Sequence, residues 1–116
     1  MISLHCPGGT ATPHLINANT LARMKWTAIL INTARGSVVD EDALANALAQ
    51  RQIAAAGLDV YEREPAVSPA LRELENVVLL PHLGSATLEA RTAMGMQMAD
   101  NLDSFFAGRT PPNRVA

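Results

Sequence analysis

A single cysteine, Cys6, stands in the 116 residues, so no disulfide can form within the chain and a reducing compartment is the natural setting. Aromatic residues make up only 3% of the sequence, too few for base-stacking platforms. Neither charge sign dominates: nine Lys and Arg face eleven Asp and Glu, a formal net charge of −2, which gives no basic field for nucleic acid. The longest apolar runs fall far short of the roughly 20 residues that span a bilayer. No charged-then-apolar leader precedes the first apolar run. The expectation is a soluble, cytoplasmic chain with neither nucleic-acid nor membrane partners. Also missing are HExxH and CxxC spacings, a G-x-G-x-x-G fingerprint and a Walker loop, so neither a metal site nor the usual phosphate cradle is expected.

What is present is 48% hydrophobic and 17% charged, enough for one domain with a modest core and unlike a disordered tail. Four short apolar runs read as strands: Ile2–Cys6, Ala28–Thr33, Ala54–Val60 and Val77–Leu80. They are near-continuously apolar rather than alternating, which suits a parallel sheet covered on both faces. Helical segments separate them. "NANTLARMK" offers Asn17 or Asn19 as a cap, with Leu21 and Met24 on one face. "DEDALANALAQRQ" has Asp40 as a cap, Glu41 and Asp42 at the positive end of the dipole, and Leu44 with Leu48 as an apolar stripe. "PALREL" predicts one or two turns. A last helix from about Thr87 to Ala107 carries Met94, Met98, Leu102 and Phe105 at helical spacing, read as core packing, and Gly108 lies just past its end. The tail "GRTPPNRVA" reads as an extended end. Strands alternating with helices predict an α/β layered fold: a parallel sheet with flanking helices.

In such sheets ligands bind beyond the carboxyl ends of the strands. Four unusual groups fall there: Cys6-Pro7-Gly8-Gly9, Thr33-Ala34-Arg35-Gly36, Asp59 with Glu62 and Glu64, and Pro81-His82-Leu83-Gly84-Ser85. Arg35 has two readings. A lone loop arginine is ordinarily a solvated surface residue, whereas a guanidinium aimed from a rigid strand end is a planar fork matched to a carboxylate. Gly36 behind it allows the turn that aims it. An imidazole's unperturbed pKa lies near neutrality, which makes His82 a candidate general acid or base. It needs a carboxylate to fix its tautomer, and Asp59, Glu62 and Glu64 all qualify on spacing, which does not choose between them. His5 and His14 are weaker candidates, in a strand and a loop. Cys6 as a nucleophile with His82 as its base is conceivable, but a cysteine ending an apolar strand is more simply a small hydrophobe.

Taken together, "LHCP", "AILINTARGSVVDEDAL", "AAAGLDVYEREP" and "NVVLLPHLGSAT" resemble, in order and spacing, the D-isomer-specific 2-hydroxyacid dehydrogenases over nearly the whole chain. "LPHLGSAT" and "FFAGRTPPNRV" look most like the glyoxylate/hydroxypyruvate reductase branch, with 2-ketogluconate reductases close by. The resemblance implies an NAD- or NADP-dependent oxidoreductase acting between a small 2-oxo acid, such as glyoxylate or hydroxypyruvate, and its 2-hydroxy acid. It implies catalytic roles for three residues: Arg35 holding the substrate carboxylate, His82 protonating the carbonyl oxygen, and Glu64 paired with that histidine. Asp59 corresponds to the acidic residue near the nicotinamide carboxamide. Cys6, Thr33, Ala34, Arg35, His82, Gly84 and Ser85 correspond to segments lining the cofactor.

The chain matches only the second half of the family's Rossmann-type NAD(P)-binding domain. The glycine-rich half and the substrate domain have no counterpart in residues 1–116, and Met1 falls inside a strand. An N-terminally shortened piece, inactive in isolation, is therefore expected. The alternative is a non-catalytic half-domain that self-associates, as a homodimer, through an exposed sheet edge or the last helix.

Overall fold

The computed structural model describes residues 1–115, and the chain divides into two compact units, Met1–Gly84 and Ser85–Ala116. The first unit holds four strands: β1 (Ile2–Leu4), β2 (Ile29–Asn32), β3 (Ala55–Leu58) and β4 (Val77–Leu79). They form one sheet in chain order, β1-β2-β3-β4, with every pair parallel. Ile2 registers with Leu30, Leu30 with Ala56, and Ala56 with Val77. Parallel neighbours require crossovers, and here these carry the short helices α1 (Ala18–Leu21), α2 (Glu41–Ala49) and α3 (Pro69–Arg72).

Side-chain chemistry explains the helices. Asp40 accepts from the Ala43 N–H at 2.9 Å and starts α2, where Leu44 and Leu48 fall one turn apart and are both fully buried. Asn17, not Asn19, caps α1 by accepting from the Asn19 and Thr20 N–H groups. The Thr20 hydroxyl returns a bond from the Asn17 N–H, completing a capping box. This helix ends after one turn, shorter than the sequence suggests. Arg23 and Met24 donate three residues back, to Thr20 and Leu21, so the coil tightens and stops.

The core lies on one face of the sheet. Leu30, Ala56 and Leu58 from the strands meet Leu21, Leu44, Leu48, Ile53 and Leu71. The opposite face carries Ile29, Ile31, Val78 and Leu80 around Gly57, and Val78 is 62% exposed. The packed helices of this unit serve the first of these faces. A short 3-10 turn, Gly36–Val38, which the sequence did not announce, links β2 to α2.

The second unit is α4 (Leu88–Phe106), capped by Thr87, whose side chain accepts from the Ala90 N–H. It ends in a Schellman arrangement: Gly108 (φ +70°) donates to Phe105, and Arg109 to Ser104. No α4 residue is buried, so Met94, Met98, Leu102 and Phe105 are not the core residues that their spacing suggested. The tail is not simply extended either. Asn113 donates to the Asn101 side chain at 3.0 Å and Arg114 to the Pro111 carbonyl, while Ala116 lies outside the described residues.

Candidate active site

Arg35 leaves the carboxyl end of β2 in extended conformation, and the residue that sets its place is Asn32. The Asn32 amide donates to the Arg35 carbonyl at 3.0 Å and accepts from the Ala34 N–H at 3.1 Å, tying off the turn. Asn32 is buried, and with both bonds made no buried polar side-chain atom among the described residues lacks a partner. Gly36 works differently from the sequence reading. Its φ is not in the left-handed region, but a Cβ there would collide with the backbone of Tyr61 and Glu62. The glycine thus lets the β2 exit press against the β3 exit. The Arg35 guanidinium itself donates to the Ala34 carbonyl at 2.7 Å and forms no ion pair with a carboxylate among the described residues, leaving donors for an anion.

The β3 exit, residues 59–64, supplies the carboxylates. Of the three that spacing left open, Glu64 is the one on the histidine: its Oε2 lies 2.9 Å from His82 Nδ1. Glu64 Oε1 accepts from the Tyr61 N–H at 3.0 Å. The bond from His82 holds the Glu64 carboxyl below the usual carboxylate range, with the Tyr61 N–H and the field of Arg35 acting in the same direction. An ionised Glu64 fixes the Nδ1–H tautomer and leaves His82 Nε2 without a partner among the described residues. Glu62 instead pairs with His14, Nε2 to Oε1 at 2.6 Å, and that bond raises the His14 pKa. The Glu62 N–H donates to buried Glu41. Asp59, nearly buried, accepts from the Leu83 N–H at 2.7 Å and the Gly84 N–H at 3.1 Å, one bond per carboxylate oxygen. Burial, first of all, raises the Tyr61 pKa; its hydroxyl donates to the Leu80 carbonyl at 2.7 Å.

Beside Arg35, a cleft of about 700 Å³ opens at the carboxyl ends of β1 and β2, with Cys6, Gly8, Gly9, Thr33 and Ala34 among its walls. Small side chains and bare glycine backbone allow a flat ring to approach closely. No carboxylate lines the cleft, as a dinucleotide's phosphates require, so the residues present fit such a group. Cys6 packs partly against the core and has no histidine partner among the described bonds. Gly84 bonds Asp59, whereas Ser85 opens the second unit. Among the described residues no group of three or more His, Cys, Asp and Glu could hold a metal ion. Asn32 and Tyr61 were missed from the sequence. A polar residue inside "AILINT" is the signal that could have found Asn32.

The class that these features define is a parallel α/β half-sheet with an arginine and a carboxylate-bound histidine at its carboxyl edge, where such sheets bind ligands. The chain belongs to the D-isomer specific 2-hydroxyacid dehydrogenases, whose NAD binding domain matches residues 1–84. It is 54% identical over 114 residues to the glyoxylate reductase of Thermococcus litoralis, a match covering 98% of this chain and 34% of that protein. The NADPH-dependent glyoxylate/hydroxypyruvate reductase of Sinorhizobium meliloti, solved with NADP and malonate, superposes with a TM-score of 0.86 at 42% identity, over 98% of this chain and 38% of that one. The TT0316 protein of Thermus thermophilus superposes at 0.92 and 43% identity, over 98% and 37%. The chain spans about a third of the length of the curated relatives it matches.

Proposed function

We propose that the chain is the catalytic part of an NAD(P)-dependent 2-hydroxyacid dehydrogenase that reduces a small 2-oxo acid, glyoxylate or hydroxypyruvate, in the cytoplasm. It corresponds to the second half of the cofactor domain, working with a glycine-rich half and a substrate domain outside residues 1–116. The observation that carries the reading is the 2.9 Å contact between His82 Nδ1 and Glu64 on the sheet edge that also presents Arg35. Arg35 pairs with the substrate carboxylate through its unused donors and polarises the adjacent carbonyl. His82 gives the Nε2 proton to the carbonyl oxygen, and Glu64 stabilises the imidazolium before transfer and holds the ring's direction. A reduced nicotinamide, when bound, supplies the hydride. Cys6, Thr33 and Ala34 of the cleft line its place, and the family resemblance adds Asp59, Gly84 and Ser85 to the residues that serve it. The T. litoralis and S. meliloti relatives, named as glyoxylate reductases, support the substrate class.

The test replaces the matching third of the T. litoralis enzyme with this chain and follows NADH or NADPH oxidation with glyoxylate and hydroxypyruvate. Arg35→Ala and His82→Ala each lower kcat/KM by at least about 100-fold, roughly 2.7 kcal/mol of barrier. A rate within about tenfold of the parent refutes the assigned roles. The 116-residue chain alone gives no turnover.

A second reading, a half-domain that self-associates, is favoured by the exposed apolar side chains Ile29, Val78 and Leu80 on one sheet face. Sedimentation velocity decides it, and a monomer at all concentrations removes it.

A further inference from the structure

The segment that delivers His82 is fastened at more points than its bond to Glu64 requires. Two residues before the histidine, the Leu80 carbonyl accepts from the Tyr61 hydroxyl at 2.7 Å. One and two residues after it, the Leu83 and Gly84 N–H groups donate to the two oxygens of Asp59 at 2.7 and 3.1 Å. Between these fastenings His82 sits at φ +55°, in the left-handed region. A side chain there costs about 1–2 kcal/mol, and it stays only where the surroundings hold it. Asp59 and Tyr61 are themselves buried, and both leave the end of the strand whose continuation carries Glu64. The histidine and its carboxylate are therefore referred to one anchor, the β3 exit.

From this geometry we infer that Tyr61 and Asp59 are positioning residues, clamping the His82 segment on both flanks so that Nε2 points at the substrate carbonyl. The inference rests on the acid/base role proposed for His82. It assigns Asp59 work distinct from the cofactor contact that family resemblance implies, and the two make different kinetic predictions. Losing a cofactor contact raises the cofactor KM. Losing the clamp lowers kcat and leaves that KM alone.

The experiment uses the chimeric enzyme with Tyr61→Phe, which removes one oxygen, and Asp59→Asn, which keeps the shape but turns an N–H group toward a backbone N–H. Misplacing a proton donor by a fraction of an ångström predicts a fall in kcat of about tenfold for Tyr61→Phe and up to about 100-fold for Asp59→Asn. In Tyr61→Phe the cofactor KM stays within twofold. In the 116-residue chain itself, the Leu83 and Gly84 amides exchange at least tenfold faster in Asp59→Asn, while those of α2 are unchanged. Unchanged kcat in both variants, a cofactor KM that rises at constant kcat, or unaltered exchange at Leu83 and Gly84 overturns the inference. His82→Ala in the same chimera separates the two levels. If it retains activity, the proposed site falls; if it is inactive while both clamp variants are normal, only the clamp falls.

Discussion

Replacing Gly36 by alanine adds one methyl group at a place where no side chain can yield. The position is buried at the start of the 3-10 turn, and the atoms a Cβ would meet are the Tyr61 carbonyl group and the Glu62 nitrogen. Both are backbone, so no rotamer change relieves the overlap. The β2 exit and the β3 exit must part, stretching the ground between Arg35 and Glu64. Overpacking in a tight interior costs about 1–3 kcal/mol, and the absence of any flexible neighbour puts Gly36→Ala at about 3 kcal/mol. For a unit of this size that lowers the melting midpoint by roughly 12–24 °C. Thermal and urea unfolding followed by far-UV circular dichroism read the loss. Gly95→Ala is the internal control: in α4, with nothing within 4 Å of an added Cβ, it gains about 1 kcal/mol in helix propensity. A Gly36→Ala chain that melts within about 3 °C of its parent refutes the close-approach argument, because the methyl would then have found room.

Asn32→Ala breaks both bonds that tie the Arg35 turn and costs about 2 kcal/mol in urea unfolding; an Asn32→Ala midpoint equal to the parent's is the contrary result. His14 has its pKa raised from the ordinary 6.5 by Glu62, so its contribution is complete below pH 6.5 and is lost as pH rises through the folded value. His14→Ala flattens the stability profile across that window, and added salt flattens it in the parent, since the pair is half-exposed. Glu64 runs the other way. Its pKa is lowered from 4.5, so its contribution is present above pH 4.5 and is lost as pH falls through the folded value. Acid titrations of Glu64→Gln lack that loss, and a persistent one assigns it to another carboxylate.

Local signals were readable wherever the chemistry is local. Asp40 capping α2, Leu44 and Leu48 facing the core, and Gly108 ending α4 follow from neighbours within five residues. Strand existence was legible and strand extent was not. The ladder of β3 stops at Leu58 rather than Val60: the Asp59 N–H makes its last bond, to the Asn32 carbonyl, and the Asp59 and Tyr61 side chains reach the His82 segment. The choice among Asp59, Glu62 and Glu64 was open in the sequence because each is bonded by a segment far along the chain: Leu83–Gly84, His14 and His82 respectively. The methionines of α4 show the limit of periodicity, which marks a face but not what lies against it.

The sheet's strand order follows the chain, and this bears on how the molecule comes together in time. Partners lie 28 residues apart for Ile2 and Leu30, 26 for Ile29 and Ala55, and 21 for Ala56 and Val77, by subtraction of their numbers. Closure entropy grows only with the logarithm of loop length, about 0.6 kcal/mol per doubling, so these three closures cost nearly the same. Ladder length then ranks them, and β2 with β3, the only pair with four registered positions, leads. That pairing sets the Arg35 and Glu64 exits side by side without β4, and the three-position ladder of β3 with β4 is what brings His82 to Glu64.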